Sequence, residues 1–198
     1  MSTLGPPTFK LDLPSPIPED GFTLVHEDVR HWLVQAVIGL NLCPFAKAVV
    51  VHDRLRVRVS NAREPALLLQ ELQEELERLV ASPIEQVETT LLVAPWICPD
   101  FLDFNDFLDV VDAAVEELEL DGVLQVASFH PDYQFADADA DDIENYSNRA
   151  PYPTLHLIRE ASLDRAIEAF PEAEDIYETN KATLRKLGLA GWKKLWQV

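Results

Sequence analysis

Glycine, cysteine and positive charge are all scarce in this chain, and each shortage removes a class of function. Six glycines are scattered through 198 residues, with neither a Gly-x-Gly-x-x-Gly turn nor a Gly-Lys-Ser/Thr loop among them. The backbone cradles on which nucleotide folds seat phosphates are therefore missing. Sixteen basic residues face 35 acidic ones, a formal charge of −19 that repels nucleic acid phosphates and anionic membrane surfaces. Neither nucleic acid nor membrane is expected as a partner. The two cysteines, Cys43 and Cys98, allow one disulfide at most. A chain of this length with 47% apolar content buries enough core to do without it, so a reducing, cytoplasmic setting is the simpler expectation. Long apolar runs are lacking too. The most apolar stretch, Trp32 to Val51, is interrupted by Gln35, Asn41, Pro44 and Lys47, and falls short of the roughly 20 apolar residues of a spanning helix. The first residues have neither the basic nor the apolar region of a signal peptide. Their prolines (Pro6, Pro7, Pro14, Pro16, Pro18) make residues 1–20 read as a disordered, Pro-rich arm ahead of a single globular domain over residues 21–198.

What is present is a regular alternation of helical and strand patterns. Val29, Leu33, Val37 and Leu40 recur at three and four within 26–42, which predicts a helix closed by Pro44. Residues 48–51 read as a short strand or an extended connector. Leu55, Val57 and Val59 alternate with Arg54, Arg56 and Arg58 in the period of a half-buried strand. A helix follows from Glu64 and Pro65 with Asn61 as its cap, burying Leu69, Leu72, Leu76 and Leu79. The apolar run 88–94 reads as a strand covered on both faces. Asp103 or Asn105 opens a second helix with Phe107, Val111, Ala114 and Leu118 inward, ended by Asp121-Gly122. A third strand runs over 123–129 and a fourth over 154–159. Helices are expected at 162–170, broken by Pro171, and at 173–187 before Gly188, with Trp192 and Trp196 as a final apolar cover. Two successive strand-helix-strand units favour parallel, right-handed crossovers. The expected fold is α/β or α+β, one sheet of about four strands, mostly parallel with an antiparallel fourth, covered by helices.

Parallel strands deliver their ends to one rim, where open sheets of this kind hold ligands. Trp96 and Cys98 follow the second strand, and His130, Asp132 and Tyr133 follow the third. An Asp beside an imidazole raises its pKa and fixes its tautomer, which suits an acid/base role, whereas the structural alternative is a turn held by side-chain bonds to backbone. Cys98 is placed to meet His130 as a thiol/imidazole pair, against the general tendency of cysteine to be a small core hydrophobe. Cys43 ends a helix, a polarity that opposes thiolate formation, and stands as a second candidate nucleophile. The connection between the third and fourth strands exceeds twenty residues. Its acidic half (Asp137, Asp139, Asp141, Asp142) favours mobility, and its second half offers Asn145, Asn148 and Arg149 to grip a carboxylate or phosphate. His156 alternates with Leu155 and Leu157, the pattern of a satisfied histidine on the opposite sheet face unless it lies at the site. The three arginines of the first strand are expected to pair with carboxylates.

Three separated segments carry a family resemblance: Gly39-Leu40-Asn41-Leu42-Cys43-Pro44-Phe45-Ala46, Phe129-His130-Pro131-Asp132-Tyr133, and Asn148-Arg149-Ala150-Pro151-Tyr152-Pro153-Thr154-Leu155-His156-Leu157-Ile158-Arg159-Glu160. Over residues 29–196 the chain resembles the bacterial family known as domain of unknown function 1415, a resemblance that implies no activity. The residues themselves favour a small enzyme or ligand-binding protein for a polar, anionic metabolite. The alternatives are a metal- or haem-binding protein using Cys43, Cys98, His130 and His156, and an acidic protein-interaction module. The spacing of these residues identifies no cofactor, and composition leaves the oligomeric state open.

Overall fold

A computed structural model describes residues 19–169 and 176–196. Four strands form one mixed sheet: β1 (Leu55–Val59), β2 (Thr89–Val93), β3 (Leu124–Phe129) and β4 (Thr154–Arg159), in the spatial order β1-β2-β4-β3. β1 and β2 pair in parallel, while β4 runs antiparallel to both β2 and β3. The first three strands thus share a direction and the fourth opposes it. β4 is not at an edge but wedged between β2 and β3, so those two strands are not neighbours.

Among the described residues there are six α-helices. They are α1 (Glu19–Trp32), α2 (Ala46–Val51), α3 (Pro65–Ala81), α4 (Phe101–Glu117), α5 (Glu160–Ala169) and α6 (Ile176–Lys194). α1 begins inside the stretch expected to be an arm. The rest of that expectation, and the break at Pro171, lie outside the described residues. The predicted helix over 26–42 does not continue as one α-helix, because residues Leu33–Ile38 widen into a π-helical turn in which Gly39 N–H donates to Val34 O and Leu42 N–H to Val37 O. Asn41, at φ 56°, then turns the chain out. The predicted strand or connector at 48–51 is helical instead, as α2. Val49, Val50 and Val51 favour strands, but backbone bonds from Ala46 to Cys43 and from Val49 to Phe45 close helical turns there.

Strand alternation divides the side chains between two faces. On one, Leu92, Leu124, Leu155 and Leu157 meet Leu68, Leu72, Leu76 and Leu79 of α3 and Phe104, Phe107, Val111 and Ala114 of α4 in one buried cluster. α3 starts at Pro65 with Glu64 as its flanking residue and no side-chain cap, while Ser60 Oγ accepts the Ala62 N–H. Asp100 caps α4, accepting the Leu102 N–H at 2.8 Å. The other face carries Leu55, Val57, Val59, Leu91, Val93 and Phe129 beneath α1, the π-helical turn and α6. The β1 arginines pair as expected. Arg56 forms a bidentate bond to the buried Glu75 carboxylate at 2.6 and 2.8 Å, and Arg54 and Arg58 approach Glu88 and Glu71, each at 3.6 Å. α6 is kinked at Gly188, whose φ of 63° suits a residue without a side chain. Trp192 packs edge-on against Tyr146 and Trp196 as part of the second cluster.

Candidate functional site

The ends of β1, β2 and β3 do share a rim, knit by bonds from Ser60 N–H to Val93 O (2.7 Å), Ala94 N–H to Pro153 O (2.8 Å) and His130 N–H to Asn148 O (3.2 Å). His130 is wholly buried there, between Phe101 and Phe104, whose ring centroids lie 5.5 and 5.2 Å away. Its Nδ1 accepts the Asp132 N–H at 3.0 Å, so the proton sits on Nε2, which donates to Cys98 O at 3.1 Å. Burial holds its pKa below the ordinary imidazole value. His130 and Cys98 therefore meet through the cysteine carbonyl. The Cys98 thiol belongs to the packed cluster on the α3/α4 face, where burial foremost raises its pKa. Cys98 itself holds a left-handed backbone, φ 53°.

The other rim candidates are engaged with the long connection itself. Asn145, fully buried, accepts the Phe135 N–H and donates to Asp139 O at 2.7 Å. Arg149 donates to Tyr133 O at 3.2 Å and Ala140 O at 2.7 Å, with its guanidinium 4.3 Å from the Tyr146 ring centre. Asn148 donates to Ser128 O and accepts from Ser147 Oγ. The acidic half of the connection, expected to be mobile, is thus held by its carbonyl oxygens at Asp139 and Ala140. Tyr133 stacks between Phe101 and Phe135. Trp96 lies under Arg63 at 5.2 Å and edge-on to Phe22, with its buried Nε1–H unpartnered.

Open space lies elsewhere, on the second sheet face toward the starts of β1 and β2. A cavity of about 390 Å³ is bounded by Trp32, Leu33 and Val37 of the first helical stretch, by Cys43 to Ala46 and Ala48 to Val50, and by Ser162, Leu163, Arg165 and Ala166 of α5. Its floor is Leu55, Leu91, Phe129, His156 and Ile158. Nearly all of this lining is apolar. Glu88, Ser162 and Arg165 supply polar groups at the end where Arg165 is more than half exposed, and Arg165 is 3.9 Å from Glu88 and 3.1 Å from Ser162 Oγ. Inside stand Cys43, Thr89 and His156. Burial pushes the Cys43 thiol up and the His156 imidazole down to about 4, so both are uncharged at neutral pH. His156 Nε2 lies 2.8 Å from Thr89 Oγ1, whose single proton goes to Leu157 O at 2.5 Å.

Of the residues singled out from sequence, Cys43 and His156 line one cavity, while His130, Asp132, Tyr133, Asn145, Asn148 and Arg149 gather at the rim. The two cysteines belong to opposite faces of the sheet, and no group of three or more His, Cys, Asp or Glu side chains is placed to hold a metal ion among the described residues. Sequence reasoning missed Thr89, Ser162 and Arg165. Thr89 alternates with Leu91 and Val93 on one strand face, but its nearness to His156 comes from the β2–β4 register, which periodicity does not carry. No described helix is long and apolar enough to cross a membrane.

Fold and cavity together define an α+β protein whose mixed four-stranded sheet buries a cluster on each face and keeps a cavity at one end of the second. A family model matches residues 24–194, and the chain belongs to that family, described as Protein of unknown function (DUF1415). No curated protein and no solved structure matches the chain.

Proposed function

We propose that the protein binds a small, largely apolar molecule in the cavity between the sheet, the π-helical turn, α2 and α5. The observation that carries this reading is an almost wholly apolar hollow of about 390 Å³, with its charged groups, Glu88 and Arg165, at the exposed end, within the size range of small-molecule sites. α2 adds support. Its sequence is nearly all apolar, yet none of its residues is buried, and Ala46, Ala48, Val49 and Val50 line the empty volume. Apolar side chains arranged around empty space gain dispersion contacts when a guest fills it. The π-helical turn fits as well, because such turns recur at functional sites. This reading keeps the ligand-binding expectation drawn from sequence and moves it from a polar anion at the rim to an apolar guest on the sheet face. The side chains of His130, Asn145, Asn148 and Arg149 are already committed to holding the rim and the connection between β3 and β4. Two unpaired thiols suit a reducing, cytoplasmic setting.

The test is Nile red fluorescence titrated with the protein and with an Ala166→Trp variant that fills the hollow from α5. Saturable enhancement by the wild type and its loss in the variant, with an unchanged circular dichroism spectrum, is the expected result. Enhancement of equal size in both proteins would remove the cavity from consideration.

A further inference from the structure

His156 is the one ring on the cavity floor with hydrogen-bonding nitrogens, and its neighbours fix which nitrogen carries the proton. Thr89 has a single hydroxyl proton. That proton is directed to Leu157 O at 2.5 Å, so Thr89 Oγ1 meets His156 Nε2, 2.8 Å away, as an acceptor. Nε2 must therefore donate. Nδ1 is then a bare lone pair on a neutral ring, with no partner among the described residues, and it does not count among the fully enclosed unsatisfied atoms. The remaining interior adds no charge, since Cys43 is a thiol and the other side chains away from the exposed end are uncharged. Glu88 and Arg165 oppose each other at the exposed end, and Glu88 is also within 3.6 Å of Arg54.

We infer that this cavity selects a neutral apolar molecule bearing a hydroxyl or N–H group, which donates a hydrogen bond to Nδ1 of His156. The inference rests on the cavity being a ligand site and names the chemistry of its guest. A carboxylate presents only acceptors. It would set lone pairs against the Nδ1 lone pair in a site whose lining cation, Arg165, stands at the exposed end opposite Glu88, and would lose its hydration as well. An alcohol or phenol satisfies the nitrogen and fills the hydrocarbon walls. Thr89 acts as a positioning residue: it holds the imidazole in the tautomer that accepts.

Naphthol, methylnaphthalene and naphthoate, all substituted at the same ring position, separate these possibilities by titration calorimetry. The informative quantity is the ratio of naphthol to methylnaphthalene affinity, compared between wild type and His156→Phe, because the ratio cancels the different hydration of the two probes. One hydrogen bond predicts a ratio roughly tenfold higher in the wild type. Naphthoate should bind more weakly than naphthol. Thr89→Val frees the imidazole to change tautomer, so it should shrink the ratio while methylnaphthalene binding persists. Ring-nitrogen NMR of the free protein should show His156 protonated at Nε2 and, in Thr89→Val, a mixture. Equal ratios in wild type and His156→Phe, or naphthoate as the tightest ligand, would overturn the donor selectivity and leave the cavity standing. Failure of all three probes to bind would overturn both.

Discussion

The two faces of the sheet are built from the same strands and reach opposite outcomes. On the α3/α4 face, leucines from β2 and β4 interlock with leucines and phenylalanines from two long amphipathic helices, and every one of the main contributors is buried. On the other face α1 and α6 bury a second cluster, while the π-helical turn, a six-residue helix without buried residues, and α5 leave a hollow toward the starts of β1 and β2. Protein interiors are ordinarily close-packed, and voids lower stability. A fold that buries its α3/α4 face in one cluster keeps part of the other face open, and the place to look for activity is where packing is incomplete.

Breaking the packed face should have the largest effect. Phe104→Ala removes a fully buried ring and is expected to cost about 3–5 kcal/mol in urea unfolding, without changing Nile red binding. A loss of binding with retained fold would mean that the two faces are coupled. Acid should act through the hollow face. The His156 pKa is down at about 4 from 6.5, so the unfolded chain binds a proton that the folded chain refuses. This contribution is complete above pH 6.5 and is lost as pH falls toward about 4, up to about 3 kcal/mol at 1.36 kcal/mol per unit. Urea midpoints measured across that window should fall less steeply in His156→Phe; an identical slope would show that the loss arises elsewhere.

Gly39→Ala tests the π-helical turn. A methyl group there would sit 2.4 Å from Gln35 O, an overlap expected to cost roughly 1–3 kcal/mol, with weaker Nile red binding because Leu33 and Val37 shift. Full stability would show that the turn yields easily. The smallest effect is assigned to Leu33→Ala. Its side chain faces empty volume and has fewer contacts to lose, so roughly 1 kcal/mol is expected by urea unfolding. A loss as large as that of Phe104→Ala would erase the distinction between the faces.

Much of the packed face was legible in the sequence, because α3 and α4 display their buried stripe at three- and four-residue spacing and the β1 arginines alternate with valines. The shared direction of β1, β2 and β3 followed from the two crossovers. The insertion of β4 between β2 and β3 did not, since periodicity gives a strand its faces and not its neighbours. α2 was misread because three consecutive valines favour strands, while the bonds that wind them into a helix come from the preceding turn. Cys43 and His156 both line the cavity, yet the stronger pattern in the sequence is that of His130, whose place beside Asp132 resembles an acid/base pair. The backbone N–H of Asp132, invisible in the side-chain pattern, is what fills the His130 Nδ1 position. Hollows are the least legible feature of all, because they arise from what neighbouring elements fail to fill.

The central place of β4 also sets a timetable for synthesis. Until Thr154–Arg159 leaves the ribosome, β1 and β2 form a two-strand ribbon and β3 has no partner at all. The keystone of the architecture is thus the last of the four described strands to be delivered, and the floor of the hollow, His156 included, comes into being in the same step that joins the two halves. Between the synthesis of β3 and that of β4 a nascent chain carries the waiting edges of β2 and β3 together, which makes this the interval of greatest exposure to aggregation and lets one strand end it abruptly.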